Sequence, residues 1–364
     1  MDDNLIVIAT DNYSSALVLQ SFLESNGIDC FLKNVNLVQP HVSEGVKVQI
    51  KEVDVEKALN LLSFFNYSQK GELGPRKILV PVDFSETSRN AAFFAIKLAH
   101  KYGAEIKLLH LFTSPIVDMI PFSDAASIQI DVDISYQVLQ KNAKEKLLKF
   151  HAELKDYASQ QGIPEVRIGY SLRESYVSYG IVEMCQTYKP GMVIMGTKRD
   201  GFRSTELLGS TAAEVVSETG IPILVIPEKA ALKDIDEVKN VLYVTNLDDA
   251  DYQALRKLIT ILSVFNVDIS CAHISNDPDN NVAKALMKNM ENYFNKVSKK
   301  VHIQFNTLEA QKKRDVLKDY IKTKRINLVS VTMHKRNLLE RLINPSLTRK
   351  MLNEADMPLL IFPG

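Results

Sequence analysis

Neither sign of charge prevails in this chain: Lys plus Arg and Asp plus Glu each total 44 across 364 residues. Without a net field, composition gives no pull toward nucleic acid or an anionic membrane, and we expect neither as a partner. Cysteine is scarce. Cys30, Cys185 and Cys271 lie far apart with no CxxC spacing, which argues against a disulfide framework or a zinc knuckle and suits small buried residues in a reducing cytoplasm. No apolar run approaches the length of a membrane span, and the opening MDDNLIVIATD is acidic and lacks an extended apolar leader core, so the expected location is cytoplasmic. The GxSxG, HExxH, GxxxxGK[ST] and zinc spacings are all missing, so no nucleophile, base or metal set can be assembled from spacing.

What is present is alternation of strand and helix patterns over a length that calls for two or three domains. Leu5 to Ala9 reads as a strand, Tyr13 to Glu24 as a helix stopped by Asn26-Gly27, Ile28 to Leu32 and Val46 to Ile50 as strands, and Asp54 to Phe65 as a second helix. That β-α-β-β-α order over residues 1–70 suits a small α+β, ferredoxin-like module. The run SALVLQSFLESNGIDCFL and the later EKALNLL resemble a small bacterial family of signal-transducing modules. Tyr67 to Pro75 is polar, with two glycines and a proline, and reads as a linker.

From Arg76 the pattern is that of a mostly parallel, doubly wound α/β domain over 76–230. Its expected strands are Ile78 to Val82, Ile106 to Phe112, Val166 to Tyr170, Met192 to Gly196 and Ile221 to Ile226. Its expected helices are Ser85 to Tyr102, Ile134 to Gln161 and Tyr176 to Tyr188, with Thr113 to Asp133, broken by Pro115 and Pro121, as an irregular excursion over the sheet edge. The remainder, 237–364, repeats this domain. One constant offset carries Lys77–Ser85 onto Asn240–Asp248 and His110 onto His273; a second, shorter one carries Met192–Pro227 onto Leu328–Pro363, matching Pro222 to Pro358 and Pro227 to Pro363. Two copies of one fold follow, the second shortened in the middle. Because His110 and His273 coincide at strand ends, a packing or hydrogen-bonding role fits them better than metal binding.

The stretch MGTKRDGFRSTELLGST, Met195 to Thr211, stands out within the first copy. The uninterrupted apolar run before it suits a strand buried on both faces, Gly196 allows a sharp turn at its end, and Gly209, Ser210 and Thr211 form a second small-residue turn at a helix start. Free backbone N–H groups and hydroxyls there can hold phosphate. This pattern resembles the nucleotide-binding signature of the universal stress protein (UspA-like) family, with Gly196, Gly209 and Ser210 on its positions and Arg199 where that signature has its second glycine. The resemblance implies that Pro81, Val82, Asp83, Leu111, Met195, Gly196, Lys198, Arg199, Gly209, Ser210 and Thr211 line a pocket for ATP or another adenine nucleotide, with Mg²⁺ as an optional companion. Two residues have alternative readings: Asp83 either binds the nucleotide or caps the following helix, and Arg199 either fills the pocket or grips phosphate.

In the second copy Asn246 replaces Asp83, Thr332 replaces Gly196 and Pro345 replaces Gly209, so no nucleotide is expected there. His334, Lys335 and Arg336, with Arg341, Arg349 and Lys350, form a local basic cluster that a solvated face explains. The expected function is a stress-response regulator that binds nucleotide in the first copy and signals through protein contacts, with slow ATP hydrolysis as its most catalytic form. The alternative is a nucleotide-free tandem scaffold. In the resembled family the last strands form the dimer contact, so Ile221–Ile226 and Met357–Phe362 should meet within one chain as a pseudo-dimer, itself free to associate further.

Overall fold

A computed structural model describes residues 5–11, 13–25, 27–34, 45–55, 57–58, 74–113, 125–197, 210–228, 235–275, 277, 280–297, 301–309, 316–333 and 357–364. The chain divides into two compact units, Met1–Glu72 and Leu73–Gly364. No helix among the described residues is long and apolar enough to cross a membrane.

The smaller unit is an antiparallel sheet of β1 (Leu5–Asp11), β2 (Cys30–Lys33) and β3 (Val46–Lys51) in the order β1-β3-β2, with α1 (Tyr13–Ser25). Ala16, Leu19 and Leu23 recur at helical spacing and bury one stripe of α1 in a cluster with Val46, Val48 and Ile50. The chain leaves α1 through Gly27 at φ 73°, where the Ile28 N–H reaches back to the Leu23 carbonyl at 3.0 Å. The helix expected over Asp54 to Phe65 falls mostly outside the described residues.

The larger unit is built on one ten-stranded sheet. The first copy supplies β4 (Lys77–Pro81), β5 (Glu105–Phe112), β6 (Ile168–Glu174), β7 (Met192–Thr197) and β8 (Ile223–Pro227). Its helices are α2 (Glu86–Tyr102), α3 (Ala125–Gln160), α4 (Val177–Tyr188) and α5 (Ser210–Thr219). The second copy supplies β9 (Asn240–Thr245), β10 (Asp268–Ser275), β11 (His302–Glu309), β12 (Leu328–Met333) and β13 (Leu359–Pro363), with α6 (Asp249–Leu262), α7 (Asn281–Val297) and α8 (Val316–Thr323). The strand order β11-β10-β9-β12-β13-β8-β7-β4-β5-β6 is symmetric about its centre. Pairing is parallel within each copy and antiparallel only where β13 meets β8, with Leu359 opposite Val225, Leu360 opposite Leu224 and Ile361 opposite Ile223.

Both sheet faces are covered, so the central strands need no alternation between apolar and polar residues. Ile78, Val80, Val241 and Tyr243 point to one face, where α2, α3, α6 and α7 pack in a single core shared by both copies. Leu79, Val193, Leu242 and Val244 point to the other, against α4, α5 and α8. Behind the seam, Tyr102 of α2 sets its ring edge-on to Phe265 at 6.3 Å and donates its hydroxyl to the Ile261 carbonyl. Lys101 pairs with Asp236 at 2.9 Å.

Two elements differ from expectation. Helix α3 begins at Ala125 rather than Ile134, so the second half of the presumed irregular excursion is helical; Pro121 is the last helix breaker before it, and the sequence then runs to Gln160 without proline or glycine. Strand β6 is Ile168–Glu174, not Val166 to Tyr170, because it is the sheet's edge, where polar residues such as Ser171, Arg173 and Glu174 are tolerated.

The seam predicts shared stability. Ile361 is fully buried there, so Ile361→Ala should cost about 2–5 kcal/mol. Amide exchange should then accelerate in β8 as well as in β13, and acceleration confined to β13 would refute the coupling.

Candidate functional site

Strands β4 and β7 are neighbours, yet their following helices leave to opposite faces: α2 joins the core shared with α3, and α5 the opposite one. This change of direction makes the carboxyl ends of the two strands a topological switch point, the place where open α/β sheets have their ligand crevice. Asp83 lies just beyond β4, Gly196 near the end of β7, Leu111 near the end of β5, and Ser210 and Thr211 open α5. Topology thus brings the chemistry-bearing residues of distant segments to one edge. Lys198, Arg199 and Gly209 lie outside the described residues, as does the side chain of Ser210. Met195 is buried against the α4 and α5 face, Pro81 and Thr211 are half-buried, and Val82 faces the α2 core.

The β4–α2 connection is held by its own hydrogen bonds. Ser85, not Asp83, is the N-cap of α2, its hydroxyl accepting from the Ser88 N–H at 3.3 Å. Asp83 supports that cap: its Oδ1 accepts from the Ser85 N–H at 3.0 Å and from the Ser85 hydroxyl. Partial burial pushes the Asp83 carboxyl up, but donation from Ser85 and Ser88 outweighs it and holds the group below its ordinary 3.8. The residue nonetheless remains solvent-exposed. An ionised carboxylate therefore stands at the mouth at neutral pH.

Between Asp83 and Ser85, Phe84 adopts φ 64°, a left-handed conformation costly for a bulky side chain. Packing holds it there, with its ring 4.3 Å from that of His110 and 5.9 Å from that of Phe150. His110 Nδ1 donates to the Val82 carbonyl at 2.8 Å, and burial lowers the ring's pKa, so the imidazole is neutral at pH 7. In the second copy Leu247 repeats the left-handed turn at φ 65°, and His273 Nδ1 donates to the Thr245 carbonyl at 3.1 Å. The paired histidines are hydrogen-bonding residues in both copies, as their coincidence in the repeat suggested.

Gly196 has a structural reason of its own. A Cβ there would lie 2.4 Å from the Thr87 carbonyl carbon and 2.7 Å from the Ser88 nitrogen, inside the first turn of α2. Close approach of strand to helix backbone, rather than a turn, demands the glycine. Gly180, inside a helical pattern that gives no sign of it, makes room for a side chain beside α4: a Cβ would meet Leu111 Cδ2 at 2.6 Å.

Strand β5 outruns β4. The last bond between them on this edge joins the Val82 N–H to the Leu109 carbonyl at 2.8 Å. In a parallel pair the next residue aimed the same way is Leu111. The Val82 carbonyl that would receive its N–H is taken by His110 instead. Among the described residues, the Leu111 N–H and C=O thus have no strand partner on the crevice side. Together with Asp83, the edge offers an exposed carboxylate, a backbone donor and acceptor on Leu111, two residues beyond the last β4–β5 bond, and a helix start. No group of three or more His, Cys, Asp or Glu able to hold a metal occurs among the described residues.

Gly196→Ala should therefore destabilise the unliganded protein by about 1–3 kcal/mol, the usual cost of overpacking, seen as a lower melting temperature without any nucleotide. Because the folded Asp83 pKa is lowered, its contribution to stability is complete above the ordinary carboxylate value and lost as pH falls through the folded one. Asp83→Asn should flatten that acid limb of the stability profile, and the stabilities of the two proteins should converge as pH falls below the folded value of the wild type.

The profile of the universal stress protein family matches residues 74–227 and again 237–363. A universal stress protein of Methanocaldococcus jannaschii is 27% identical over 177 residues, spanning 49% of this chain and 96% of its own length. Among solved structures, a universal stress protein from Archaeoglobus fulgidus superposes with TM-score 0.58 at 12% identity, over 79% of this chain and 98% of its own. A universal stress protein solved in complex with cAMP matches 42% of this chain and 97% of its own at 19% identity and TM-score 0.32. The two matched segments are the two halves of the ten-stranded sheet, and the chain belongs to the universal stress protein family, with the family domain present twice in tandem.

Proposed function

We propose that the crevice of the first copy binds an adenine nucleotide and that the protein uses its occupancy as a signal read by another protein. The feature that carries this reading is the Leu111 N–H and C=O, left without a strand partner at the edge that also bears the Asp83 carboxylate. A backbone donor and acceptor on one residue match the donor–acceptor edge of adenine, and a carboxylate accepts from a ribose hydroxyl or an exocyclic amine. The N-terminus of α5, opening at Ser210 and Thr211 on the far wall, suits the phosphates. Lys198 and Arg199, by their place in the chain between β7 and α5, would add cationic contacts to phosphate oxygens. Mg²⁺ would arrive on those phosphates, since the described residues supply no cage for it. Ligand would order the segment between β7 and α5, changing the surface seen by a partner. Slow hydrolysis is the furthest catalytic extension of this reading.

The β8–β13 seam favours a second component of function. Each chain already contains the pairing of last strands expected between family protomers, so a tandem scaffold acts as a pseudo-dimer with or without ligand.

Calorimetric titration with ATP and Mg²⁺ tests the first reading. One equivalent should bind per chain with micromolar affinity. Asp83→Ala should weaken binding about tenfold or more, the worth of a hydrogen bond to a charged group, with the far-UV spectrum unchanged. Failure of the wild type to bind at millimolar ATP would leave the scaffold reading alone, and single-turnover assays with and without Mg²⁺ would measure any hydrolysis.

A further inference from the structure

The second copy has lost Asp83 and Gly196, but it has gained something in their place. Asp251, the third residue of α6, is fully buried, and its carboxylate collects four donors. Oδ2 accepts from the Thr245 hydroxyl at 2.9 Å, the Asn246 N–H at 2.6 Å and the Asp248 N–H at 3.5 Å; Oδ1 accepts from the Tyr243 hydroxyl at 2.7 Å. Since Tyr243 spends its one proton on Asp251, the Thr332 hydroxyl, 2.7 Å away, must donate to Tyr243. The Leu247 N–H donates to Thr245 Oγ1 at 2.9 Å, and the Asp251 N–H returns to Asp248 Oδ1 at 3.1 Å, closing a capping box. Tyr243, Thr245 and Thr332 are all buried with it. Burial, reinforced by the Asp251 charge, pushes the Tyr243 hydroxyl far above its ordinary pKa, so it stays a donor.

These residues occupy the places where the first copy has none of this chemistry. By strand order and repeat register, Tyr243 and Thr245 stand where β4 and its loop have Val80 and Val82, Asp251 where α2 has Ser88, and Thr332 where β7 has Gly196. In the first copy the helix touches the strand through a glycine, and the one carboxylate, Asp83, faces solvent. In the second the glycine contact is replaced by a side chain, and the carboxylate has moved inside, where it saturates the loop amides. Those donors are no longer available to anything that enters from outside.

We propose that Asp251 makes the second copy unresponsive: the network it centres on takes up the β9–α6 loop amides from within and fixes that loop in one arrangement, so that Asp251, Tyr243 and Thr332 determine which of the two copies responds to ligand. The chain then carries one responsive half and one fixed half. The word ligand rests on the crevice reading above, but the fixed loop does not.

Residue-resolved amide hydrogen exchange on the full chain in the absence of nucleotide tests the fixed loop directly. The Asn246 and Leu247 amides should be protected at least a hundredfold over unfolded rates, and saturating ATP should leave them unchanged. Asp251→Ser, which installs the residue of the first copy, should erase at least tenfold of the protection at Asn246. If that variant does not fold, Tyr243→Phe, which removes only the donor to Oδ1, should raise the exchange rate at Asn246 and Asp248 measurably. Unprotected amides in the wild type, or protection that rises when ATP is added, would overturn the proposal. A chain that binds no ATP anywhere while these amides stay protected would refute the crevice reading and leave the fixed loop standing.

Discussion

Three residue pairs hold the architecture together. Where β13 meets β8, the only antiparallel contact among the described residues of a sheet otherwise parallel within each copy turns two five-stranded halves into one ten-stranded layer. Each copy alone would end in a last strand, Ile223–Pro227 or Leu359–Pro363, whose residues are almost all apolar. Such an edge invites pairing with another chain. Pairing the two with each other removes both hazards at once and lets the helix cores behind them merge, so the seam is a condition of solubility as much as of shape.

With the halves joined about that seam, each presents the same strand edge to solvent, and the two edges have diverged by moving one negative charge. The loop backbone is retained in both, down to a left-handed aromatic or aliphatic residue, Phe84 or Leu247, held by packing rather than by glycine. A histidine on the second strand, His110 or His273, anchors the carbonyl one residue beyond the first strand or at its end. Against this common frame Asp83 stands outside and Asp251 inside. A carboxylate at the surface costs little and can meet a ligand; one inside must be saturated by donors, and Asp251 is.

The repeat was legible because hydrophobic runs and prolines recur at fixed offsets, and because buried parallel strands leave unbroken apolar runs such as Met192 to Met195, while the pairing of the two last strands followed from the family resemblance. Less was legible where the cause lies between segments far apart in sequence. Gly196 reads as a turn glycine, yet its reason is the backbone of Thr87 on a different element. Asp83 reads as a cap or a ligand, and it is neither cap nor spectator but the support of the cap at Ser85. The start of α3 was not legible because Ile128, Ile130, Val132 and Ile134 alternate with polar residues instead of following a helical stripe, although nothing there breaks a helix. Asp251 carried a usable signal that went unread: Asp248 and Asp251 have capping-box spacing, and Tyr243 puts a hydroxyl into a strand whose counterpart is valine.

The asymmetry bears on how such a protein could signal. In a symmetric dimer, two equal sites bias both halves together, and the readout depends on whether one or two are filled. On the proposal above, one half is satisfied by its own side chains, and a ligand of the other half would act against a fixed reference across the seam. The equilibrium shifts only by the difference in that ligand's affinity for two arrangements of the first copy. Helix α3 is the element best placed to report such a shift. Its Tyr136 packs on Phe112 at 6.0 Å, at the carboxyl end of β5, and the helix continues for eleven residues toward Ala125 beyond that contact, about 16 Å at 1.5 Å per residue. The corresponding helix of the second copy, α7, is 17 residues against 36 in α3. The copy with an exposed carboxylate has the long helix, and the copy with a buried carboxylate has the short one.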